Sequence, residues 1–243
     1  MEWQDDAYVL SSRAFGETGG IVELLTETHG RYAAHVAGAA SRKMKPYLQP
    51  GARVLAAYRS RTSDNLGSAL LEPIGEGPAA LFDDPMALAG LSAAAAVAQG
   101  ALPERQPHPG AFAAFEALVS AFALDEIWPA IFVRFEAGLL EELGFGMDFS
   151  RCAATGVVDD LIYVSPKSGR AVSRAAGAPY RERMLALPPF LLSSQGGLAE
   201  GDVAAGFALT GHFLEQFVFG PLNRPLPPAR VWLIDKLHAA GRL

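Results

Sequence analysis

Five short runs within residues 6 to 75 have the composition of β-strands, and this pattern constrains the fold more than any other feature of the chain. The runs are rich in Val, Leu, Ile, Tyr and Thr, and Gly, Asn or Asp residues bound them. We expect strands over Ala7–Phe15, Gly20–Thr26, Arg31–Ala37, Arg53–Arg59 and Ser68–Ile74. Because no strongly periodic helix lies between them, these strands predict a small closed barrel, for which the OB-fold is the five-stranded candidate.

The chain after residue 78 has helical periodicity. Asp84 and Pro85 predict a helix start, with Asp84 as N-cap and Pro85 in the first helical position. Gly144, Gly220 and Gly241 each follow a predicted helix end, where a left-handed residue is favoured. The predicted helices are Met86–Ala101, Ala111–Leu124, Ile127–Leu143, Val203–Phe219 and Pro228–Ala240.

A β-hairpin is expected to interrupt the helical part. Leu161–Val164 and Arg170–Ser173 are strand-like, and a turn over Ser165–Gly169 joins them. The predicted fold class is therefore α+β, with an N-terminal five-stranded OB-fold barrel followed by a mainly α-helical domain. We place the OB-fold domain at residues 1–78 and the helical domain at residues 79–243, with the hairpin inside residues 151–190.

Positive charge is concentrated in one segment of this acidic chain. The protein has 20 Lys and Arg residues against 26 Asp and Glu residues. Residues 28 to 63 contain no acid, which indicates a local site for an anion rather than a generally basic surface. An ordinary basic face of a soluble domain is the alternative. The seven basic residues of this segment are Arg31, Arg42, Lys43, Lys45, Arg53, Arg59 and Arg61.

The period of two along a strand sorts these residues by face. It places the strand arginines on the solvent side of the barrel, opposite Tyr32 and Tyr58, which we assign to the core. Tyr47 and Phe15 lie near the basic connection and the first turn, and they are candidates for base stacking, with plain packing as the alternative. A second, smaller basic patch lies around the hairpin, where solvated turn charges are the alternative. It comprises Lys167, Arg170 and Arg174, with Arg181 further along the acid-free segment.

Nothing in the sequence indicates catalysis. The G-x-G-x-x-A pattern of residues 75–80 is rejected as a dinucleotide site, because Glu76 would repel a pyrophosphate and Pro78 removes an amide donor. The five histidines lack paired ligand spacing, and we expect surface or packing roles for them. A single cysteine, Cys152, excludes an internal disulfide and suits a reducing compartment. With no signal peptide or membrane span in the sequence, we expect a cytoplasmic protein with no catalytic residues and no cofactor.

Four groups of motifs, in consistent order along nearly the whole chain, resemble the RecO family of DNA repair and recombination mediator proteins. The first runs through Gly16-Glu17-Thr18, Ile21-Val22, Leu24-Leu25-Thr26, His29-Gly30, Gly38-Ala39 and the Ser41–Gly51 segment. The others are Arg134-Phe135-Glu136 with the following Leu139–Gly146, the turn Ser165–Val172, and Arg224–Arg230. Each motif is weak alone, and their shared register makes the resemblance specific.

The resemblance implies an OB-fold followed by a helical domain, and a function without catalysis. Family members bind single- and double-stranded DNA, anneal complementary strands and bind the C-terminal tail of single-stranded DNA-binding protein. With RecR, and in some pathways RecF, they help to load RecA, which implies a nucleoid-associated protein in the cytoplasm. We expect the chain by itself to be a monomer. The alternatives are an OB-fold adaptor that binds protein and, more remotely, an unrecognised hydrolase.

The resemblance also assigns three positions. Arg134 corresponds to an arginine implicated in binding the acidic tail of single-stranded DNA-binding protein; pairing with Glu142 or another residue of its own helix is the alternative. Ala37 replaces a Lys or Arg that the family often has. Where many members have two C-x-x-C pairs that bind zinc, this chain has Cys152–Thr155 and Ser173–Ala176, so we predict no metal.

Overall fold

A computed structural model describes residues 1–62, 65–75, 81, 83–124, 126–193 and 196–243. Contacts divide the chain into two compact units, Met1–Ala123 and Leu124–Leu243. The boundary predicted after residue 78 lies outside the described residues, as does the G-x-G-x-x-A pattern beyond Gly75. The first unit contains two helices in addition to the barrel.

The predicted barrel is confirmed. Its five strands close in the order β1-β2-β3-β5-β4, and only the short β3–β5 pairing is parallel. This strand order agrees with the five-stranded barrel of an OB-fold. The strands are β1 (Glu2–Phe15), β2 (Gly19–Thr26), β3 (Gly30–Val36), β4 (Arg53–Arg59) and β5 (Gly67–Pro73).

Strand β1 begins five residues before the predicted start at Ala7. Its first half pairs with β4, from Glu2 opposite Arg59 to Tyr8 opposite Arg53, and its second half pairs with β2. The two pairings overlap at Ala7 and Tyr8, and a register shift between Val9 and Ser11 interrupts the pairing with β2. The acidic composition of residues 2–6 concealed this strand, because only its inward side chains contribute to the core.

The inward side chains of β1 close one end of the barrel. The Trp3 indole stacks on the His29 ring at 4.4 Å on one face and on the Tyr58 ring at 4.8 Å, and Tyr32 meets it edge-on. Asp5 Oδ2 lies 2.8 Å from His29 Nδ1 and accepts hydrogen bonds from the Thr28 amide and hydroxyl. Burial raises the pKa of the Asp5 carboxyl, but the hydrogen bonds from His29 and Thr28 outweigh burial and leave that pKa lowered.

The lowered pKa of Asp5 predicts a loss of stability in acid. An unfolded carboxyl protonates near pH 3.9, so the stabilising contribution of Asp5 is complete above about pH 3.9 and is lost as the pH falls through the lower folded-state pKa. Asp5→Asn should therefore lower the free energy of unfolding at pH 7 and flatten its decline below about pH 4. Denaturant unfolding between pH 2 and 7 measures both effects, and a variant with the same pH dependence as the parent chain would contradict the assignment.

Helices α1 (Pro85–Ala101) and α2 (Pro109–Ala121) pack within the same unit as the barrel. The predicted cap is confirmed, since Asp84 Oδ1 accepts from the Met86 and Ala87 amides at 2.9 and 3.0 Å. Leu91 of α1 lies so close to Gly51, which has a φ of +80°, that a Cβ on this glycine would come within 2.4 Å of the leucine side chain. No helix of the described ranges has the length and apolarity to span a membrane.

The second unit consists of helices around a small sheet. The predicted hairpin is confirmed, and a third strand, β8, joins it in the order β7-β6-β8. The elements are α3 (Trp128–Glu142), β6 (Leu161–Val164), β7 (Ala171–Ser173), α4 (Arg174–Gly177), β8 (Leu185–Ala186), α5 (Pro189–Leu192), α6 (Asp202–Phe213) and α7 (Pro228–Ala239).

The predicted helix Val203–Phe219 is divided, and one of three predicted left-handed glycines is wrong. Gly144 and Gly241 have φ values of +84° and +67°, as expected. Gly220 is right-handed, with φ of −60°, because α6 continues as a π-helix, Leu214–Phe219, and the Gly220 amide donates to the Glu215 carbonyl. The left-handed residue is instead Asn223, with φ of +53°.

A buried ion pair connects three helices of this unit. Glu136 of α3 and Arg230 of α7 are 0% and 3% exposed, and Arg230 Nε donates to Glu136 Oε1 at 2.5 Å. The second carboxylate oxygen accepts from Arg230 Nη2 at 2.9 Å and from the Thr210 hydroxyl of α6. Burial lowers the pKa of the Arg230 guanidinium, and the Glu136 carboxylate reverses that effect and raises it. Both charges are therefore fully compensated inside the helical core.

Removal of one partner from this pair should strongly destabilise the unit. Glu136→Gln would leave the Arg230 guanidinium buried without a counter-charge, which should cost about 3–5 kcal/mol of unfolding free energy. The double variant Glu136→Met with Arg230→Met removes both charges, so it should be markedly more stable than Glu136→Gln. Chemical denaturation measures the order of the three proteins. An unchanged midpoint for Glu136→Gln would contradict this account.

Candidate nucleic-acid interface

Two of the three arginines that were predicted on strand faces form ion pairs within the fold. Arg31 points outward from β3 as predicted, but its side chain is only 13% exposed. Its guanidinium pairs with Glu23 at 2.7 Å and with Glu104 at 3.4 Å, and Nε donates to the Leu102 carbonyl at 3.0 Å. Because the connection between α1 and α2 covers this face, the expectation that Arg31 faces solvent is wrong.

Arg53 is held in the same way. Its terminal nitrogens pair with Asp6 at 2.8 Å and with Glu116 of α2 at 2.7 Å, and its guanidinium lies over the Tyr8 ring. The hydrogen bond to Asp6 raises the pKa of Arg53. A guanidinium with two carboxylate partners has little remaining capacity for a phosphate, so Arg53 primarily holds α2 against the barrel.

The connection between β3 and β4 carries the accessible positive charge. Arg42, Lys43 and Lys45 are exposed, and none pairs with a carboxylate in the part of the chain that the structure describes. Lys45 begins a short 3₁₀ helix, Lys45–Leu48, and lines a cavity of about 460 Å³ together with Arg13 of β1. Sequence reasoning missed Arg13 because it lies outside the acid-free segment. The signal available in the sequence was a basic residue within the predicted strand Ala7–Phe15.

Two further cavities lie on the same barrel. A cavity of about 680 Å³ is lined by His35, Arg59 and Arg61. It adjoins one of about 730 Å³ that shares His35 and Arg59 and reaches Ala37. Arg59 pairs with Glu2 at 2.6 Å, but both side chains are mostly exposed, at 77% and 65%, so this pair is weak in water.

The cavities of about 460 and 680 Å³ have lining residues that lie close together beside the β1–β2 turn. Gly19 lines the first cavity, and a Cβ on this glycine would lie 2.5 Å from the imidazole of His35, which lines the second. Phe15 is 51% exposed and lies edge-on to His35 at 5.8 Å, whereas Tyr47 is half-buried. The surface therefore presents exposed cations at both cavities, Arg13 and Lys45 at the first and Arg59 and Arg61 at the second, with the exposed Phe15 ring beside His35 and with Arg42 and Lys43 next to Lys45 along the chain. We call this surface the basic track and define it as Arg13, Arg42, Lys43, Lys45, Arg59 and Arg61.

The predicted second patch is largely paired. Arg170 lies 3.5 Å from Asp148 and Arg174 lies 3.1 Å from Asp160, while Lys167 is exposed. Hydrogen bonds from Ser150, with a further effect of Arg170, lower the pKa of Asp148 and keep this carboxylate charged. The role of this patch in DNA binding stays a prediction, and its arginines are less available than their sequence pattern indicates.

Three of the four positions that correspond to the zinc ligands, Cys152, Thr155 and Ser173, lie close together, and only one of them is a thiol. The Ser173 amide donates to Cys152 Sγ at 3.3 Å, and hydrogen bonds from Ser173 and Thr155 offset the effect of burial and lower the pKa of the thiol to about 6. The hydroxyl groups of Ser173 and Thr155 therefore lie near the sulfur, at positions where many members of the family have cysteines. Among the described residues, no group of three His, Cys, Asp or Glu residues could hold a metal. That the chain binds no zinc stays a prediction.

Arg134 lies at the rim of a small apolar pocket on the second unit. The pocket, of about 260 Å³, is lined by the apolar side chains of Met147, Phe149 and Leu191 and also by Glu141 of α3. One terminal nitrogen of Arg134 donates to the Phe190 and Ser193 carbonyls, so main-chain oxygens hold this guanidinium. Its hydrogen-bond partners in the described ranges include no carboxylate of its own helix, in contrast to the alternative considered from the sequence. The apolar side chains of this pocket and the Arg134 guanidinium suit a peptide whose C-terminal carboxylate lies beside an aromatic side chain, while Glu141 disfavours further acidic residues close to it.

Family models match both parts of the chain. Residues 1–72 match the model described as Recombination protein O N terminal, and residues 83–225 match Recombination protein O C terminal. Among curated relatives, a "DNA repair protein RecO" of Phenylobacterium zucineum is 74% identical over 243 residues, covering 100% of both chains. Another of that name, from Rhodospirillum centenum, is 50% identical over 242 residues and covers 99% of this chain and 96% of its own.

Proposed function

Since the chain belongs to the RecO family of DNA repair proteins, we propose that it is a non-catalytic recombination mediator that binds DNA along the basic track of its OB-fold. The observation that carries this proposal is that exposed cations line two cavities of one barrel, Arg13 and Lys45 at one and Arg59 and Arg61 at the other, and that a lining residue of the first lies against His35 of the second. Phosphates bind such cations without regard to sequence, and an exposed ring offers a stacking surface to an unpaired base.

The selective pairing of the other arginines supports this assignment. Arg31 and Arg53 are neutralised by Glu23, Asp6 and Glu116, whereas the cations of the β3–β4 connection are free of carboxylates within the described residues. In a chain of net charge −6, such unpaired cations attract a polyanion to one place and leave the remainder repulsive. Because the charge alone would suit any polyanion, the exposed Phe15 ring, on which a base can stack, is what favours DNA over an acidic protein surface as the main ligand of the barrel.

The further activities rest on the family. We propose that the chain anneals complementary strands and acts with RecR to load RecA on DNA coated by single-stranded DNA-binding protein, in the cytoplasm and at the nucleoid. The pocket beside Arg134 is the proposed site for the C-terminal tail of that protein. Lys167, with Arg170 and Arg174 after release from their aspartates, is a proposed secondary contact with DNA. Each of these steps is binding, and none requires a catalytic side chain.

Charge reversal in the β3–β4 connection should weaken DNA binding of every sequence alike. The variant Arg42→Glu, Lys43→Glu, Lys45→Glu removes three phosphate contacts, so its affinity for a labelled oligonucleotide at low salt should fall by at least about tenfold. A matched pair of single variants tests location. Lys43→Glu should reduce the affinity, whereas Arg224→Glu, an equal charge change at another exposed site, should have little effect. Fluorescence anisotropy measures both, and equal losses would contradict the track.

The pocket beside Arg134 should bind peptide independently of DNA. Arg134→Ala removes the cation at its rim, so the affinity for an acidic peptide with a C-terminal Phe should fall by about tenfold while DNA affinity is unchanged. Arg134→Lys keeps the positive charge but lacks the planar guanidinium that can donate two parallel hydrogen bonds, so an intermediate affinity for the peptide is expected. Peptide titration by calorimetry, with thermal melting as a control for folding, distinguishes these results. An unchanged affinity of Arg134→Ala would remove this pocket from the proposal.

A further inference from the structure

The second unit carries an exposed aromatic and basic segment that the proposals above do not use. A 3₁₀ helix, Ala178–Arg183, joins α4 to β8, and none of its six residues is buried. Tyr180 is 57% exposed, which is unusual for a ring of this size in a short ordered segment. It lies directly beside Arg181, with Arg183 two positions further along the chain.

The guanidinium groups of this segment differ from those of the nearby hairpin. Arg170 and Arg174 each have an aspartate partner, at 3.5 and 3.1 Å. Arg181 and Arg183 are exposed, and no carboxylate of the described ranges pairs with either of them. Their charge is therefore available to an external anion without the rupture of an existing ion pair.

The fold holds the segment at both ends. Before it, Gly177 packs so closely against the Tyr163 ring of β6 that a Cβ would come within 2.4 Å of the ring. After it, β8 pairs with β6, Ala186 opposite Tyr163, and the Met184 amide donates to the Arg181 carbonyl at 3.2 Å. Because β6 anchors both flanks, Tyr180 and its neighbours are presented in a fixed arrangement, which reduces the entropy lost on binding.

The same six residues enclose a shallow cavity of about 400 Å³. Cations bind phosphate oxygens, and an exposed ring between or beside them offers a surface for one base. Glu182 lies between the arginines in the sequence and repels phosphates and carboxylates alike, so the exposed ring is what favours a single-stranded nucleic acid, every base of which can stack on it. We propose that Tyr180, Arg181 and Arg183 form a single-strand nucleic-acid site of the second unit, separate from the basic track.

This inference rests on the proposed function and makes it more specific. With one site on each unit, a single chain binds two strands at once. Two strands on one protein raise the local concentration of each for the other, which is what annealing requires.

Binding stoichiometry and crosslinking test the inference on the full chain. Sedimentation of the protein with excess labelled dT₁₅ should give two oligonucleotides per chain. Tyr180→Ala with Arg181→Ala and Arg183→Ala should give one, and so should the triple Glu variant of residues 42, 43 and 45. In the latter protein, an oligonucleotide containing 4-thiothymidine should crosslink to the peptide of residues 178–183. Tyr180→Phe keeps the ring and should retain two oligonucleotides per chain, whereas Arg151→Ala with Arg224→Ala, a matched removal of two exposed cations elsewhere in the second unit, should have little effect.

The outcomes separate this inference from the proposed function. If the parent chain binds one oligonucleotide and the triple Glu variant binds none, the track is supported and the second site is wrong. If the Tyr180 variant still binds two, the second site is also wrong. If an acidic peptide, and not dT₁₅, protects residues 178–183, the ligand class is overturned. Absence of oligonucleotide binding by the parent chain would instead overturn the proposed function itself.

Discussion

Ion pairs between arginines and carboxylates inside the fold are the interactions on which the rest of this structure depends. In the second unit, Glu136 and Arg230 join α3 to α7 with almost no exposure, and Thr210 of α6 completes the carboxylate. Such a pair is costly to bury, and it is stable only because each charged atom has a partner. In the first unit, Arg31 and Arg53 perform a comparable role at the barrel surface, where Glu104 and Glu116 fasten the helical segments.

These ion pairs also determine which cations remain available to bind a ligand. An arginine with two carboxylates adds little field outside the protein, so the accessible positive charge lies on other side chains, among them those of the basic track and, in the second unit, those of the segment around Tyr180. A chain with more acids than bases can therefore attract a polyanion at selected places. The pocket beside Arg134 follows another principle, because there an apolar cavity supplies area and one cation at the rim supplies orientation.

Local sequence signals predicted the helices and strands, whereas contacts between residues far apart in the chain determine which cations are available to a ligand. Strand alternation correctly placed Tyr32 and Tyr58 in the barrel core, and Asp84 correctly predicted the start of α1. The same alternation placed Arg31 and Arg53 outward but could not show that residues 73 and 63 positions away would cover them. The continuity of the track depends on Gly19 meeting His35 across the sheet, and the proximity of Ser173 to Cys152 depends on the hairpin. Such contacts follow from tertiary packing and leave no local pattern.

The salt dependence of single-strand binding tests the central claim most directly. Each phosphate contact contributes a slope of about −0.7 to the plot of log affinity against log salt concentration, so engagement of the whole track predicts a slope of about −4. The measurement uses dT₁₅ and the Tyr180→Ala, Arg181→Ala, Arg183→Ala variant, in which the barrel surface acts alone. A slope of about −4 that falls to about −2 after reversal of Arg42, Lys43 and Lys45 would agree with the account. A slope near zero, or no binding at low salt, would contradict it.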